Sequence, residues 1–180
     1  MHKKVSKVIE EYYREGRWAK ARNLILRELK TDPNDHWYLT RLSGTYYEEH
    51  KYKKARQASD KAVKLAPHCP LVLWDRAGIM EMNGQPTPAV GIWKGLLKRG
   101  AKTVAFGPCG EGLGWAKYLL NDCRYRIANI YRRIDKAKLA RMYYKAYMSH
   151  RDKRVPSIYS KRVVKKQFAS LFHPSTRQKT

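Results

Sequence analysis

Residues 36–67, HWYLTRLSGTYYEEHKYKKARQASDKAVKLAP, hold two helical patterns that meet at a polar break around His50 and Lys51. Leu39, Leu42, Ser43, Tyr46 and Tyr47 recur at three-to-four spacing before the break. Ala55, Ala58, Ser59, Ala62, Val63 and Leu65 do so after it, so each helix offers one stripe to the other. The same unit recurs 34 residues upstream, where Tyr12, Gly16, Trp18, Ala21 and Pro33 correspond to Tyr46, His50, Tyr52, Ala55 and Pro67. It recurs again 34 residues downstream, with Gly84 and Ala89 in the places of His50 and Ala55. A helix-turn-helix period of this length predicts an all-α repeat array, in which each hairpin buries its face on its neighbours.

The Leu/small/Tyr/Ala/Pro pattern at this period resembles the tetratricopeptide repeat family. The stretch GRWAKARNLILRELKTDPND fits the second half of that repeat, with Trp18 at the aromatic site and Ala21 at the small one. The resemblance implies a right-handed α-solenoid, closed by a C-terminal capping helix. Three hairpins are expected over residues 1–103, with Thr31 to Asp35 ending one helix and capping the next. In the third hairpin Pro70 suits a first helical position, Thr87 is expected as an N-cap and Pro88 as the residue after it.

The register is lost between Ala101 and Gly114, where TVAF reads as a short extended piece and GPCGEGLG is too glycine-rich for a helix interior. A glycine-rich insertion over 104–120, leading into a long helix that begins near Trp115, is therefore expected before a fourth, divergent hairpin over 121–154. Ile127, Ala128 and Tyr131 carry its first helix, and Ala140, Tyr144, Tyr147 and Met148 its second. Residues 155–173 are expected to form the amphipathic capping helix, with Val164, Phe168 and Leu171 inward, and 174–180 to be disordered.

Charge is the second constraint. The chain carries 39 Lys and Arg against 15 Asp and Glu, a formal +24, which attracts acidic proteins and nucleic acid alike. Residues 124–180 hold 17 of those basic residues against Asp135 and Asp152. No apolar run approaches the length of a membrane span, and the N-terminus shows no signal-peptide pattern, so a soluble cytoplasmic protein is expected. Cys69, Cys109 and Cys123 cannot all pair with one another and form no CxxC, which predicts free thiols and no structural metal.

FGPCGEGLGW has the context of a phosphate-binding loop, but Gly107, Gly110, Gly112 and Gly114 satisfy neither GxxxxGK[ST] nor GxGxxG, and a connector is expected. Cys109 and Cys123, with His150 as a helper, lack any nucleophile signature, and no Ser/His/Asp set, HExxH or carboxylate pair occurs. The chain is read as a non-enzyme that needs no cofactor.

In the family that the repeats resemble, the first helix of each repeat lines a concave groove. The matching positions off the packing stripe are Tyr13, Arg14, Trp37, Thr40, Arg41, Tyr47, Trp74 and Asp75, joined in the fourth repeat by Tyr125, Arg126, Asn129, Arg132 and Arg133. Aromatic and Arg side chains dominate binding hot spots. By helical phase, extra core is the competing reading for Tyr47, Trp37, Trp74 and Tyr125. Positions that form a carboxylate clamp in chaperone-binding members of the family are Ser6, Glu10, Arg41, Leu71 and Asp75 here, and only Arg41 is basic. The expected partner is a protein or peptide with acidic groups. The alternative is RNA, bound through Lys161, Arg162, Lys165 and Lys166 and the surrounding basic segment.

Overall fold

A computed structural model describes residues 2–172; the tail expected over 174–180, and residue 173 of the expected capping segment, lie outside them. Among the described residues there are nine α-helices, one short 3-10 turn and no strand. The chain divides into two compact units, residues 1–92 and 93–180, with the division inside the sixth helix.

The first unit contains α1 (His2–Arg14), α2 (Trp18–Thr31), α3 (His36–Glu48), α4 (Tyr52–Leu65), α5 (Pro70–Met82) and the start of α6 (Pro86–Phe106). Successive helices from α1 to α5 pack on one another, and α3 also meets α5 directly. The turns repeat in backbone detail. Gly16, His50 and Gly84, 34 residues apart, all adopt positive φ, at 67°, 57° and 76°. In each case the next N–H reaches back to close the preceding helix: Arg17 to the Tyr12 carbonyl, Lys51 to Tyr46 and Gln85 to Met80, at 2.8–2.9 Å. Such a left-handed residue with its back-bond is the Schellman stop. It accounts for two of the three turns carrying glycine, which takes this conformation without a Cβ penalty.

Ala21, Ala55 and Ala89 are fully buried, as the repeat pattern requires of its small site. Ile9, Ala21, Ile25, Tyr38, Leu42 and Ala58 make one core cluster, and Leu39, Ala62, Cys69 and Val72 another. Asp35 caps α3 by accepting the Tyr38 N–H at 3.0 Å, and Pro70 opens α5. Helix α6 begins at Pro86, so Thr87 is not its N-cap. Both prolines fall in the first turn, where the backbone N–H groups have no intrahelical acceptor to lose.

The second unit holds the rest of α6, α7 (Leu113–Arg133), α8 (Ala137–Asp152), α9 (Lys161–Phe168) and the 3-10 turn Ala169–Leu171. TVAF is helical rather than extended. Helix α6 kinks at Gly100 (φ 76°) and resumes, and the resumed turns bury Val104 and Ala105. The glycine-rich loop then folds back on the end of α6, with Gly107 N–H on the Thr103 carbonyl and Gly112 N–H on that of Ala105. A Cβ on Gly107 would lie 2.6 Å from the Thr103 oxygen, and one on Gly110 would run into the Ala105 carbonyl. The glycines therefore serve a close backbone approach that ends one helix and starts the next. The α7–α8 turn repeats the stop seen above: Asp135 has φ 55° and Lys136 N–H reaches the Tyr131 carbonyl at 2.8 Å. Ala140 is fully buried.

Helix α9 lies against α7 and α8. Val164 and Phe168, both fully buried, join Tyr125, Ala128, Tyr147 and Met148 in one cluster, and Leu171 packs at its edge. The linker before α9 is pinned by the buried Asp122, whose carboxyl accepts from the Ser157 hydroxyl and from the Ile158 N–H at 3.3 Å. Tyr147 in turn donates to Ser157 at 3.0 Å. No described helix is long and apolar enough to cross a membrane.

Candidate functional site

In the first unit α1, α3 and α5 share a face on which aromatic rings alternate with charged groups. Its centre is Arg41, held with its guanidinium carbon 5.5 Å from the Tyr13 ring and 5.1 Å from that of Trp37. Glu10 is its counter-ion at 2.5 Å, and that carboxylate is nearly half exposed while Arg41 is only 22% exposed. The arrangement fixes a long, flexible cation between two flat surfaces, which removes most of the rotamer entropy a ligand would otherwise have to freeze.

Gly44 makes the arrangement possible. The Tyr13 hydroxyl crosses α3 at this position and donates to the Arg41 carbonyl, and a Cβ on Gly44 would stand 2.7 Å from that hydroxyl oxygen. A glycine in mid-helix costs about 0.5–1 kcal/mol relative to alanine. Here it admits a tyrosine from the neighbouring helix. The ring also meets Trp18 edge-on, with centroids 5.2 Å apart. Burial pushes the Tyr13 hydroxyl well above its ordinary range, so it stays a neutral donor.

Beside this triad, α5 places Trp74 and Asp75. The Asp75 carboxyl is enclosed and accepts from the Ser43 hydroxyl at 2.9 Å. Burial raises its pKa from 3.8 to about 7, against the opposing pull of the Ser43 and Ser59 hydroxyls and of the Arg41 and Arg76 guanidiniums. Arg76 is itself paired with Asp60 at 2.5 Å. The Trp74 indole nitrogen is buried without a hydrogen-bond acceptor.

The structure thus brings together Tyr13, Trp37, Arg41 and Asp75, while Trp74 lies half-buried next to Asp75 in the sequence of α5. Arg14 is exposed at the end of α1. Thr40 is buried and bonds back to the His36 carbonyl at 2.7 Å, so it does not line a groove. Tyr47 packs edge-on against Tyr52 across the α3–α4 turn. Of the clamp positions, Leu71 packs against the core and Arg41 is paired with Glu10. A concavity of about 610 Å³ lies elsewhere, between α1 and α2, floored by Val5, Val8, Tyr12 and Leu24 and rimmed by Lys4, Lys20 and Arg27.

In the second unit the expected groove is filled by the chain's own α9. Tyr125 is buried, stacks on Tyr159 with centroids 3.8 Å apart, and donates to Gln167 at 2.9 Å. Asn129 accepts from Gln167 at 2.7 Å and from Arg132 at 3.1 Å. Arg132 lies over Phe168, and Arg126 over Trp93 with a bond to the Tyr159 hydroxyl. These four residues hold α9 and its linker instead of lining an open surface; Arg133 alone of the five is exposed. The same amphipathic pattern that predicts α9 as a cover makes it a competitor for any groove on α7, which sequence spacing by itself does not reveal.

On α9 itself Arg162, Lys165 and Lys166 are exposed, while Lys161 pairs with Asp152 at 2.6 Å. Cys69 and Cys123 are buried thiols and Cys109 is exposed. Burial raises the Cys123 pKa well above its ordinary value, so it stays a thiol. No model of a known protein family matches the sequence, and no curated protein does either.

Proposed function

We propose that the chain is a non-enzymatic, tetratricopeptide-repeat-like scaffold that binds a protein or peptide segment on the face shared by α1, α3 and α5, with the hairpins of the first unit wound as a right-handed solenoid. The 34-residue recurrence of the left-handed turns and of the buried alanines supports the repeat assignment. The observation that carries the binding reading is Arg41, preorganised between Tyr13 and Trp37 with a half-exposed Glu10 as its counter-ion. A ligand carboxylate that displaces Glu10 releases a side chain already nearly half exposed to water, and gains a guanidinium already in place. The partner is therefore an acidic segment. Cys69, Cys109 and Cys123 form no disulfide, which suits a reducing compartment such as the cytoplasm.

The test is retrieval of partners from lysate treated with nuclease, followed by direct binding measurements on two variants. Replacing Trp37, Arg41 and Trp74 together with Ala should abolish binding, since a single aromatic or Arg anchor is worth about 2 kcal/mol or more. Trp37 also touches the core through Tyr38. Arg41→Lys is therefore the cleaner probe, because it keeps the charge and loses the planar fork that fits between two rings. Wild-type affinity in Arg41→Lys and in the triple variant would refute the reading.

A further inference from the structure

The second unit concentrates the positive charge of the molecule: residues 93–180 hold 22 Lys and Arg against 4 Asp and Glu. Two of those acids are already spent. Asp122, on α7, is buried against the linker before α9, and Asp152 is paired with Lys161. Between α8 and α9 lies an open cleft of about 420 Å³, lined by Tyr144, Lys145, Lys165, Ala169 and Phe172. Its floor is aromatic. The Tyr144 ring stacks on Phe168 with centroids 4.9 Å apart and planes 21° apart, and Phe172 stands 5.3 Å from Tyr144. The 3-10 turn that leads into Phe172 is anchored by Arg141, which donates to the Leu171 carbonyl at 3.0 Å. The ring of Phe172 is 37% exposed, and Lys145 and Lys165 are exposed on either helix.

We propose that this cleft is a binding site for single-stranded nucleic acid, in which a base stacks on the Tyr144–Phe172 surface while Lys145 and Lys165 meet the flanking phosphates. Exposed ring faces bordered by cations are what a strand with unpaired bases engages, since every base offers a π-face and every linkage a negative charge. An acidic peptide fits less well. Carboxylates are best held by a guanidinium fork, and the residues lining this cleft include no Arg; Arg141, which anchors the turn, is committed to a backbone carbonyl. The cations left over are lysines, point charges suited to phosphate. This site is independent of the α1–α3–α5 face, so either can stand without the other.

The experiment titrates the full chain against a short labelled oligouridylate at two salt concentrations, with a duplex of similar length and polyglutamate as comparison ligands. Binding of the single strand in preference to both is expected. Lys145→Glu with Lys165→Glu should weaken it at least tenfold and make the slope of log affinity against log salt shallower by about 1.4, at ~0.7 per phosphate contact. Phe172→Ala, and Phe172→Leu as a variant that keeps apolar bulk without the ring, should each weaken it by about tenfold with the slope unchanged. Lys102→Glu with Lys117→Glu makes the same charge change at exposed positions on α6 and α7, and should weaken binding by less than about threefold, as screened distant charge does. Absence of single-strand binding would overturn the proposal. So would equal losses in the two lysine pairs, full affinity in Phe172→Leu, or polyglutamate binding as tightly as the oligonucleotide.

Discussion

Asp75→Asn isolates the most unusual electrostatic feature of the first unit. The wild-type carboxyl accepts from Ser43 and is enclosed by protein, and its pKa rises from 3.8 to about 7. The folded chain therefore keeps this proton up to near neutrality while the unfolded chain releases it near pH 4. Between those values the native state binds more protons, so stability is greatest below about pH 4 and is lost as pH rises toward 7. At about 1.4 kcal/mol per pKa unit, the contribution is of order 4 kcal/mol. Asparagine keeps an oxygen for the Ser43 hydroxyl and cannot ionise. Urea denaturation of both proteins at a series of pH values should give similar stabilities at about pH 3.5 and a variant that is more stable by several kcal/mol at about pH 8. Asp122, whose pKa burial raises to about 6, contributes a second decline between about pH 4 and 6 that both proteins share, and it cancels in the difference. Parallel curves for wild type and Asp75→Asn would refute the assignment, as would a carboxyl resonance for Asp75 that titrates near 4.

Ala55→Leu should overpack the fully buried small site between neighbouring helices and destabilise by about 1–3 kcal/mol; an unchanged urea midpoint would count against that register. Phe168→Ala removes the ring that Tyr144 stacks on and that Tyr125 meets edge-on, and should destabilise by about 3–5 kcal/mol in thermal or urea unfolding. Equal stability would show that α9 does not hold α7 and α8 together. Gly110→Ala should lower the melting temperature, because its Cβ meets the Ala105 carbonyl, whereas Gly114→Ala, inside α7 with open space around it, should be neutral or stabilising by about 0.5–1 kcal/mol. A matching loss in both would mean that the loop glycines are not there for close approach.

The helices, the turns and the small buried sites were legible in the sequence because they follow from periodicity. Burial of an apolar stripe is a property summed along a whole helix, so the spacing of Leu39, Leu42, Ala55, Ala58 and Ala62 reports which face turns inward. The turn at Gly16, His50 and Gly84 is likewise local, set by one residue with positive φ. The helical course of TVAF was not legible, since a glycine that stops one helical run does not prevent the next, and the burial of Val104 and Ala105 that favours resumption is a tertiary property. Which polar groups meet depends instead on the approach of side chains far apart in sequence. Residue types alone do not say that Gly44 lets Tyr13 reach the Arg41 carbonyl, that Glu10 neutralises Arg41, or that Asp75 is enclosed. Nor do they say that α9 takes the face of α7 bearing Tyr125 and Asn129 for itself. Those outcomes were decided by tertiary structure, because a hydrogen bond or an ion pair is made or lost over about an ångström, a scale that only the packed arrangement of helices sets.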